Sequence, residues 1–423
     1  MRFILSLFLL WSRFVTASTT VPISEQTTQT TQTVKVVVPF YHELSIALTN
    51  VWHGIVSTNN DREPFLIHRP YSETPGDAVS EGVGYGLLLA LFMDDEATFH
   101  RLFQGAETTM WNGRCYDWRV DQYNHRSAFG AATDAEQDIA AALLMAHERL
   151  RQGNWTLLDS SEIYAQRAQT IMDNLWNQGI TWQGTLRPGY GWGGDDFVNV
   201  GYFAPAWYRL FHRMDSQKRD WMRVVDRSYF ILKNSPGYDL GLVPDWMTPE
   251  GFWTSNLGYN AYGDGHYMYK DAIRTLWRIG TDYLWSGDAR ALEYLGNARF
   301  FLEHIYNNGI QSANFFRMDG TLVPERDVWV FDDGHRQRGR REHSPLTIGM
   351  WGIPLFLLGS PEEQEAVVHE LLKFYQPNAT YWGLETNLED PEETTAHNEM
   401  YFEQFLASFG ALVMTGWWTV PSF

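Results

Sequence analysis

Three acidic residues lie where helices are predicted to begin, in segments that could place a carboxyl group for catalysis. They are Glu81 in SEGVGYG, Asp134 in TDAE and Asp271 in KDAIR. Hydrolysis of a glycosidic bond with inversion needs two carboxyl groups about 6.5–9.5 Å apart, one protonated to help the leaving oxygen depart and the other ionised to activate water. The three acids are therefore candidate catalytic groups of a glycoside hydrolase.

Glu81 is the candidate general acid, the proton donor. The glycines at 82, 84 and 86 would leave the backbone open to close approach by a substrate. A purely structural interpretation competes with this one, because a serine N-cap at Ser80 followed by a glutamate is common at helix starts. A helix N-terminus favours the ionised carboxylate, so a proton donor here needs burial or a neighbouring carboxylate to raise its pKa.

Asp134 lies in a segment with the spacing of a capping box. Thr133 as N-cap and Glu136 as its partner would account for two of the polar residues. That arrangement leaves Asp134 free to point into a cleft. There it could hydrogen-bond the reacting sugar, or hold Glu81 protonated by repulsion between like charges.

Asp271 is the candidate base, and Arg274 follows it by one helical turn on the same helix face. An ion pair on the protein surface is one interpretation of this spacing. The alternative is that Arg274 keeps Asp271 ionised and ready to take a proton from water.

Helical periodicity dominates the chain from about Val36 onward, which predicts a mainly α-helical protein. Eleven helices are expected, over residues 82–93, 97–110, 135–151, 161–176, 203–213, 221–233, 272–285, 289–306, 346–358, 361–375 and 400–415. Such helices could form a solenoid, an irregular bundle or a closed (α/α)6 toroid of inner and outer helices. Tight turns alternate with long Gly- and Trp-rich loops, which favours the toroid, with its loops forming a cleft. Inner helices would bring the three acids to one face.

Composition narrows the class of partner. The chain has 32 Lys and Arg against 51 Asp and Glu, a net charge of −19, so it would repel nucleic acid and anionic lipid. Aromatic residues make up 15% of the chain and could fill a core or stack on the apolar faces of sugar rings. Cys115 is the only cysteine and no HExxH spacing occurs. We expect no metal and no cofactor.

Three regions are predicted along the chain. Residues 1–17 have the charged start, apolar run and small residues of a signal peptide. Residues 18–35 form a Thr/Ser-rich leader that is too polar to fold, and residues 36–423 form one catalytic domain. We therefore expect a secreted, extracellular protein with no membrane anchor after signal cleavage. Asn154 and Asn378 match the N-glycosylation pattern, which matters only in a host that glycosylates secreted proteins.

The motifs together resemble glycoside hydrolase family 8, whose members have an (α/α)6 barrel and cleave cellulose, mixed-linkage glucan, xylan or chitosan with inversion. The resemblance runs roughly from Trp52 to Gly416. It is carried by SEGVGYGL, by ATDA with DIA, by DAIR with WRI and DYLW, and between them by WGG, YFAPAWY and GLVPDW.

The resemblance implies a role for each candidate residue. Glu81 would be the acid, Asp271 the base, and Asp134 the residue that supports distortion of the sugar at the cleavage point. Arg274 would orient Asp271. Three aromatic residues would line sugar subsites: Trp118, Trp192 and Tyr202.

An endo-acting β-1,4-glucanase is the leading function hypothesis, because the loop motifs are most similar to those of the cellulase branch. Xylanase and chitosanase activities on the same fold are the enzymatic alternatives. An inactive carbohydrate-binding barrel is the alternative of another class, and the presence of all three acids argues against it. We expect a monomer that has a polysaccharide as its partner, and whether cleavage is internal or from a chain end stays open.

Overall fold

The structure of the chain is a computed structural model. It describes residues 41–69, 75–252, 267–307, 310, 316–323, 329–332, 335–338, 343–383 and 401–420. The signal peptide and leader proposed for residues 1–35 lie outside these ranges and stay predictions, as does the domain boundary at residue 36.

Twelve long helices run through the described residues, and all eleven helices predicted from periodicity are among them. The twelfth is the first in the chain. The helices are α1 (His42–Asn59), α2 (Ser80–Phe92), α3 (Glu96–Thr109), α4 (Thr133–Arg151), α5 (Glu162–Asn174), α6 (Pro205–Met214), α7 (Met222–Lys233), α8 (Lys270–Ser286), α9 (Ala289–Phe300), α10 (Pro345–Leu358), α11 (Pro361–Leu372) and α12 (Phe402–Met414). Single π-helical segments, Leu175–Gly179 and Phe301–Tyr306, continue α5 and α9.

The even-numbered helices close a ring. Helix α2 contacts α4, α4 contacts α6, α6 contacts α8, α8 contacts α10, α10 contacts α12, and α12 returns to α2. The odd-numbered helices pack outside this ring, for example α3 on α2 and α5 on α4. The predicted (α/α)6 toroid is therefore confirmed, with six inner and six outer helices.

Burial explains which helices are inside. Every residue from Pro345 to Phe356 in α10 and from Glu403 to Met414 in α12 is buried. A helix that is enclosed on all sides in this way belongs to the interior of a protein. Outer helix α3 instead buries one stripe, which includes Phe99, Leu102 and Ala106, at the spacing of a single helix face.

The glycines of α2 serve packing, which corrects the prediction that they open the backbone to substrate. A Cβ added at Gly84 would lie 2.9 Å from the Cβ of Asp138 in α4, and one added at Gly86 would lie 2.5 Å from a methyl group of Leu102 in α3. Two neighbouring helices therefore approach α2 closely because these positions carry no side chain.

Short strands lead into two of the inner helices. Strands β1 (His68–Arg69), β2 (Asp77–Val79), β3 (Arg119–Val120) and β4 (Arg126–Ala128) form an antiparallel sheet in that order. Strand β2 runs directly into α2, and β5 (Tyr267–Met268), paired with β6 (Phe316–Arg317), precedes α8. The remaining described strands form two hairpins: β7 (Trp329–Asp332) with β8 (His335–Arg338), and β9 (Tyr375–Gln376) with β10 (Tyr381–Trp382).

None of the helices among the described residues is long and apolar enough to cross a bilayer.

Candidate active site

The three predicted acids meet at the N-terminal ends of inner helices α2, α4 and α8. Each of them is the second residue of its helix. The side chains of Glu81 and Asp271 are 19% and 26% exposed, whereas that of Asp134 is only 3% exposed. The ring of inner helices thus brings together three carboxyl groups that are far apart in sequence, as the sequence analysis expected.

Arg274 joins all three acids. Its Nη1 lies 2.6 Å from Oε2 of Glu81 and 3.0 Å from Oδ2 of Asp134, and its Nη2 lies 2.7 Å from Oδ1 of Asp271. The guanidinium is 1% exposed, so this is not the surface ion pair that the spacing also allowed. One buried cation faces three carboxyl groups, which favours retention of a proton by one of them.

The contacts of Arg274 also limit the distance between the proposed acid and base. Both Nη atoms are attached to one carbon of a planar group. The oxygens of Glu81 and Asp271 that they bind therefore lie at most about 8 Å apart, a ceiling that admits the inverting spacing of about 6.5–9.5 Å.

Glu81 has the electrostatic character of a proton donor. Burial is the main cause that raises its pKa to about 7; Arg274 and the Tyr401 hydrogen bond oppose this rise, and the charges of Asp134 and Asp271 add to it. Tyr401 donates its hydroxyl to Oε1 of Glu81 at 2.7 Å. This hydrogen bond favours the ionised form of Glu81 and so lowers its pKa.

Asp271 is held at both carboxylate oxygens. Arg274 binds Oδ1, and Nδ2 of Asn199 donates to Oδ2 at 3.1 Å. Burial raises the pKa of Asp271 above its usual range, opposed chiefly by Arg274 and also by the Asn199 hydrogen bond. A side chain at Gly201, in the turn that follows Asn199, would collide with the carbonyl oxygen of Asp271, so this turn packs directly on the start of α8.

A distant carboxyl group caps the helix that carries Asp271. Oδ1 of Asp245 accepts the backbone N–H groups of Tyr269 and Ala272, both at 3.0 Å. No side chain within α8 makes this cap. Asp245 is buried, and burial followed by the charge of Asp271 raises its pKa well above the ordinary range. The start of α8, and with it Asp271, is therefore fixed by the GLVPDW loop.

Asp134 and the residues around it depart from the predicted capping box. Helix α4 begins at Thr133 with Ala132 as N-cap, and no side chain caps it. Oγ1 of Thr133 donates to the carbonyl of Arg187, and Glu136 is engaged by two other loops. Ser80 is likewise not an N-cap, because Val79 holds that position in α2. Both predicted caps were wrong, and the capping box does not form because tertiary partners bind the side chains of Thr133 and Glu136 instead.

The helices that carry Asp134 and Arg274 share a second buried ion pair one turn deeper. Asp138 is bound by both Nη atoms of Arg278 and accepts Nε1 of Trp207 at 2.7 Å. Both charges are about 1% exposed. Removing one partner would leave an unpaired buried charge, so this pair holds α4 and α8 in register below the three acids.

The predicted subsite aromatics lie along loops beside the acids. The ring of Tyr202 lies 4.9 Å from the guanidinium carbon of Arg274. Trp246 links Tyr202 to Trp192, with ring centroids 6.4 and 5.9 Å apart. The backbone carbonyl of Trp118 accepts the N–H of Ser80, the first residue of α2. Trp118 and Trp192 are 38% and 47% exposed, so both offer ring surface to a ligand.

Sequence reasoning missed Tyr85, Tyr401, Asn199 and Asp245. Tyr85 lies one turn beyond Glu81, and its hydroxyl is 3.1 Å from Nη1 of Arg274, so helical spacing could have indicated it. The other three reach the acids from distant segments and have no local signal. Among the described residues no cluster of His, Cys, Asp and Glu is arranged to hold a metal ion.

Comparison with known proteins agrees with this geometry. The profile of the glycosyl hydrolases family 8 matches residues 58–312, a stretch that contains all three acids. The chain belongs to this family.

Several relatives and solved structures of family 8 resemble this chain. It is 34% identical to Endoglucanase 2 of Ruminiclostridium josui over 66% of this chain and 58% of that protein. It is 38% identical to Endoglucanase A of Acetivibrio thermocellus over 57% of this chain and 49% of that protein. The chain thus spans only about half to three fifths of these relatives. The apo β-1,3-1,4-glucanase of Paenibacillus sp. X4 has the same fold, with a TM-score of 0.68 and 20% identity over 90% of this chain and 94% of the other.

Proposed function

We propose that this protein is a secreted, inverting endoglucanase that hydrolyses β-1,4-linked glucan. The observation that carries the proposal is the cluster in which buried Arg274 contacts three carboxyl groups, one of which has a pKa of about 7. A solvent-accessible pair of carboxyl groups with different proton affinities is what inverting hydrolysis requires. Secretion is proposed from residues 1–17 of the sequence.

Glu81 acts as the general acid in this mechanism. With a pKa of about 7, a substantial fraction of it is protonated at neutral pH. As the bond between the anomeric carbon and the glycosidic oxygen breaks, Glu81 gives its proton to that oxygen, so the leaving sugar departs as a neutral alcohol. Arg274 then stabilises the new carboxylate through its existing contact.

Asp271 acts as the general base. It takes a proton from a water molecule while the water oxygen bonds to the anomeric carbon from the opposite side of the sugar ring. Its contacts with Arg274 and Asn199 favour the ionised carboxylate and so oppose the effect of burial. Glu81 loses one proton and Asp271 gains one, so the number of protons on the two carboxyl groups is unchanged. Exchange with solvent then returns each group to its starting protonation state.

Asp134 supports the sugar at the cleavage point. Its Oδ1 accepts the N–H of Ala135 and its Oδ2 contacts Arg274, so its position is fixed. A carboxylate held in this way can accept a hydroxyl of the distorted sugar, a bond that strengthens as the transition state forms. Tyr202, Trp192 and Trp118 supply the stacking surfaces for neighbouring sugars.

The substrate class rests on the similarity to proteins named endoglucanases at 34% and 38% identity. The experiment that tests it is release of reducing ends from soluble cellulose, mixed-linkage glucan, xylan and chitosan. We expect activity on the two glucans. Activity confined to xylan or chitosan would keep the mechanism and replace the substrate, and inactivity on all four would favour a carbohydrate-binding protein.

Replacing Tyr401 with phenylalanine is expected to shift the pH dependence. The Tyr401 hydrogen bond lowers the pKa of Glu81, so its loss raises that pKa and keeps the acid protonated to higher pH. A hydrogen bond worth about 1 kcal/mol corresponds to ~0.7 pH unit. The alkaline limb of kcat/KM should therefore move upward by roughly that amount, with the acidic limb unchanged.

The matched control for this shift is Tyr375→Phe, which removes a hydroxyl that accepts a bond from Asn50 and lies outside the site. Its profile should coincide with that of the unmodified protein. An alkaline limb that stays in place, or moves downward, in Tyr401→Phe would show that this hydroxyl does not set the pKa of the proton donor.

A further inference from the structure

Glu136 is a fully buried carboxyl group that the proposed chemistry does not use. It lies on α4 two residues beyond Asp134, and its side chain bonds residues of two loops. Oε1 accepts the backbone N–H of Tyr116 at 2.8 Å, and Oε2 is 3.0 Å from the hydroxyl of Tyr190. A carboxyl group buried at this depth is costly unless both oxygens are satisfied, as they are here.

The two partners of Glu136 occupy equivalent places in their loops. Tyr116 precedes the exposed ring of Trp118 by two residues, and Tyr190 precedes the exposed ring of Trp192 by two residues. Among the other bonds of these loops, Trp118 N–H bonds the carbonyl of Gly130 at 3.0 Å, and Thr133 N–H bonds that of Pro188 at 3.1 Å. Glu136 is therefore a single side chain that bonds residues just before both exposed aromatic rings.

We propose that Glu136 is a positioning residue for substrate affinity: it fixes the loops of Trp118 and Trp192 relative to each other, and so sets the spacing of two sugar-stacking surfaces. The inference deepens the proposed function and rests on it for the identity of the ligand, a β-linked glucan chain. Loops tied to one rigid helix lose less conformational freedom when a polymer binds.

The protonation state of Glu136 indicates which substitution should preserve its hydrogen bonds to the two loops. Burial raises its pKa to about 8, outweighing its two hydrogen-bond donors, so at neutral pH the group is mainly protonated. Oε1 accepts the Tyr116 N–H, and the Tyr190 hydroxyl donates to Oε2 or, when Glu136 carries its proton there, accepts from it. Glutamine offers the same acceptor and donor with nearly the same shape, whereas alanine offers neither.

The test compares Glu136→Ala, Glu136→Gln and Tyr190→Phe in steady-state kinetics on soluble glucan. We expect Glu136→Ala to raise KM about tenfold, the equivalent of losing one well-placed stacking contact, with kcat within about twofold of the unmodified protein. Tyr190→Phe should raise KM by less, because only one loop is released. Glu136→Gln should restore KM nearly to its original value.

The control is Glu148→Ala, the same change at the other end of α4, where Glu148 is largely buried and bonds Arg151 and Gln152. It should leave KM unchanged even if it lowers thermal stability. An equal rise in KM in Glu148→Ala, a fall in kcat with KM unchanged in Glu136→Ala, or no rescue by glutamine would overturn the proposal.

Amide hydrogen exchange separates failure of this proposal from failure of the proposed function, because it needs no substrate. Glu136→Ala should accelerate exchange in both loops, around residues 111–118 and 186–192, and Tyr190→Phe only in the second. If exchange is faster in the variants but the unmodified protein is inactive on every glucan, the role of Glu136 in holding the two loops is supported and the proposed function is refuted. Unchanged exchange in both loops of Glu136→Ala would refute the role of Glu136 in holding the loops.

Discussion

Replacing Glu81 with glutamine is expected to reduce kcat on soluble cellulose by about a thousandfold, because general acid catalysis typically contributes on that order. Glutamine keeps the shape of the side chain and can still accept the bond from Arg274, but it has no proton to give to the leaving oxygen. KM should change little, since the substrate does not depend on this proton for binding in the ground state.

A substrate whose leaving group needs no protonation tests whether the activity lost in Glu81→Gln is proton donation. Dinitrophenyl β-cellobioside releases a phenolate that needs no protonation, so Glu81→Gln should cleave it at a rate close to that of the unmodified protein. The control Glu293→Gln alters an exposed glutamate that pairs with Lys233 and should behave normally on both substrates. Equal loss on the cellulose and on the activated substrate would exclude Glu81 as the proton donor.

Replacing Asp271 with asparagine is expected to reduce kcat by about a thousandfold on both substrates, because activation of water is required whatever the leaving group. Asparagine has the shape of the carboxylate but cannot take a proton at neutral pH. The activated substrate therefore distinguishes the two variants. Glu81→Gln should cleave it, whereas Asp271→Asn should not.

The control for this second variant is Asp226→Asn, which alters an exposed carboxylate paired with Arg290 on the protein surface. Thermal unfolding should show both proteins folded, since Asn199 and Arg274 can still bond the new side-chain amide in part. Rapid cleavage of the activated substrate by Asp271→Asn would contradict its assignment as the base.

The helical architecture could be predicted from the sequence because burial imposes a period on each helix. Even the helix that was not predicted, α1, has Leu44, Leu48, Val51 and Ile55 at spacings of three and four residues, and all four are buried. The positions of Glu81, Asp134 and Asp271 followed for the same reason: once inner helices begin at these acids, closure of the ring brings them together.

The surroundings of the acids could not be predicted, because they come from contacts across the ring. The residues that bond Glu81 and Asp271 include Tyr401 and Asn199, which are 320 and 72 positions away in the chain. Residues with an evident local interpretation were the ones misread. Glu136 has the spacing of a capping box, yet it bonds Tyr116 and Tyr190 in two other loops.

The assigned chemistry can be followed directly in one experiment, a proton NMR time course of a soluble cello-oligosaccharide during hydrolysis. Attack by water activated at Asp271 on the face opposite the bond protonated by Glu81 must turn a β-linkage into an α-anomer. We predict that the α-anomer of the product appears first and that the β-anomer grows in only as the sugar equilibrates. First appearance of the β-anomer would contradict an acid and base acting by inversion at these two carboxyl groups.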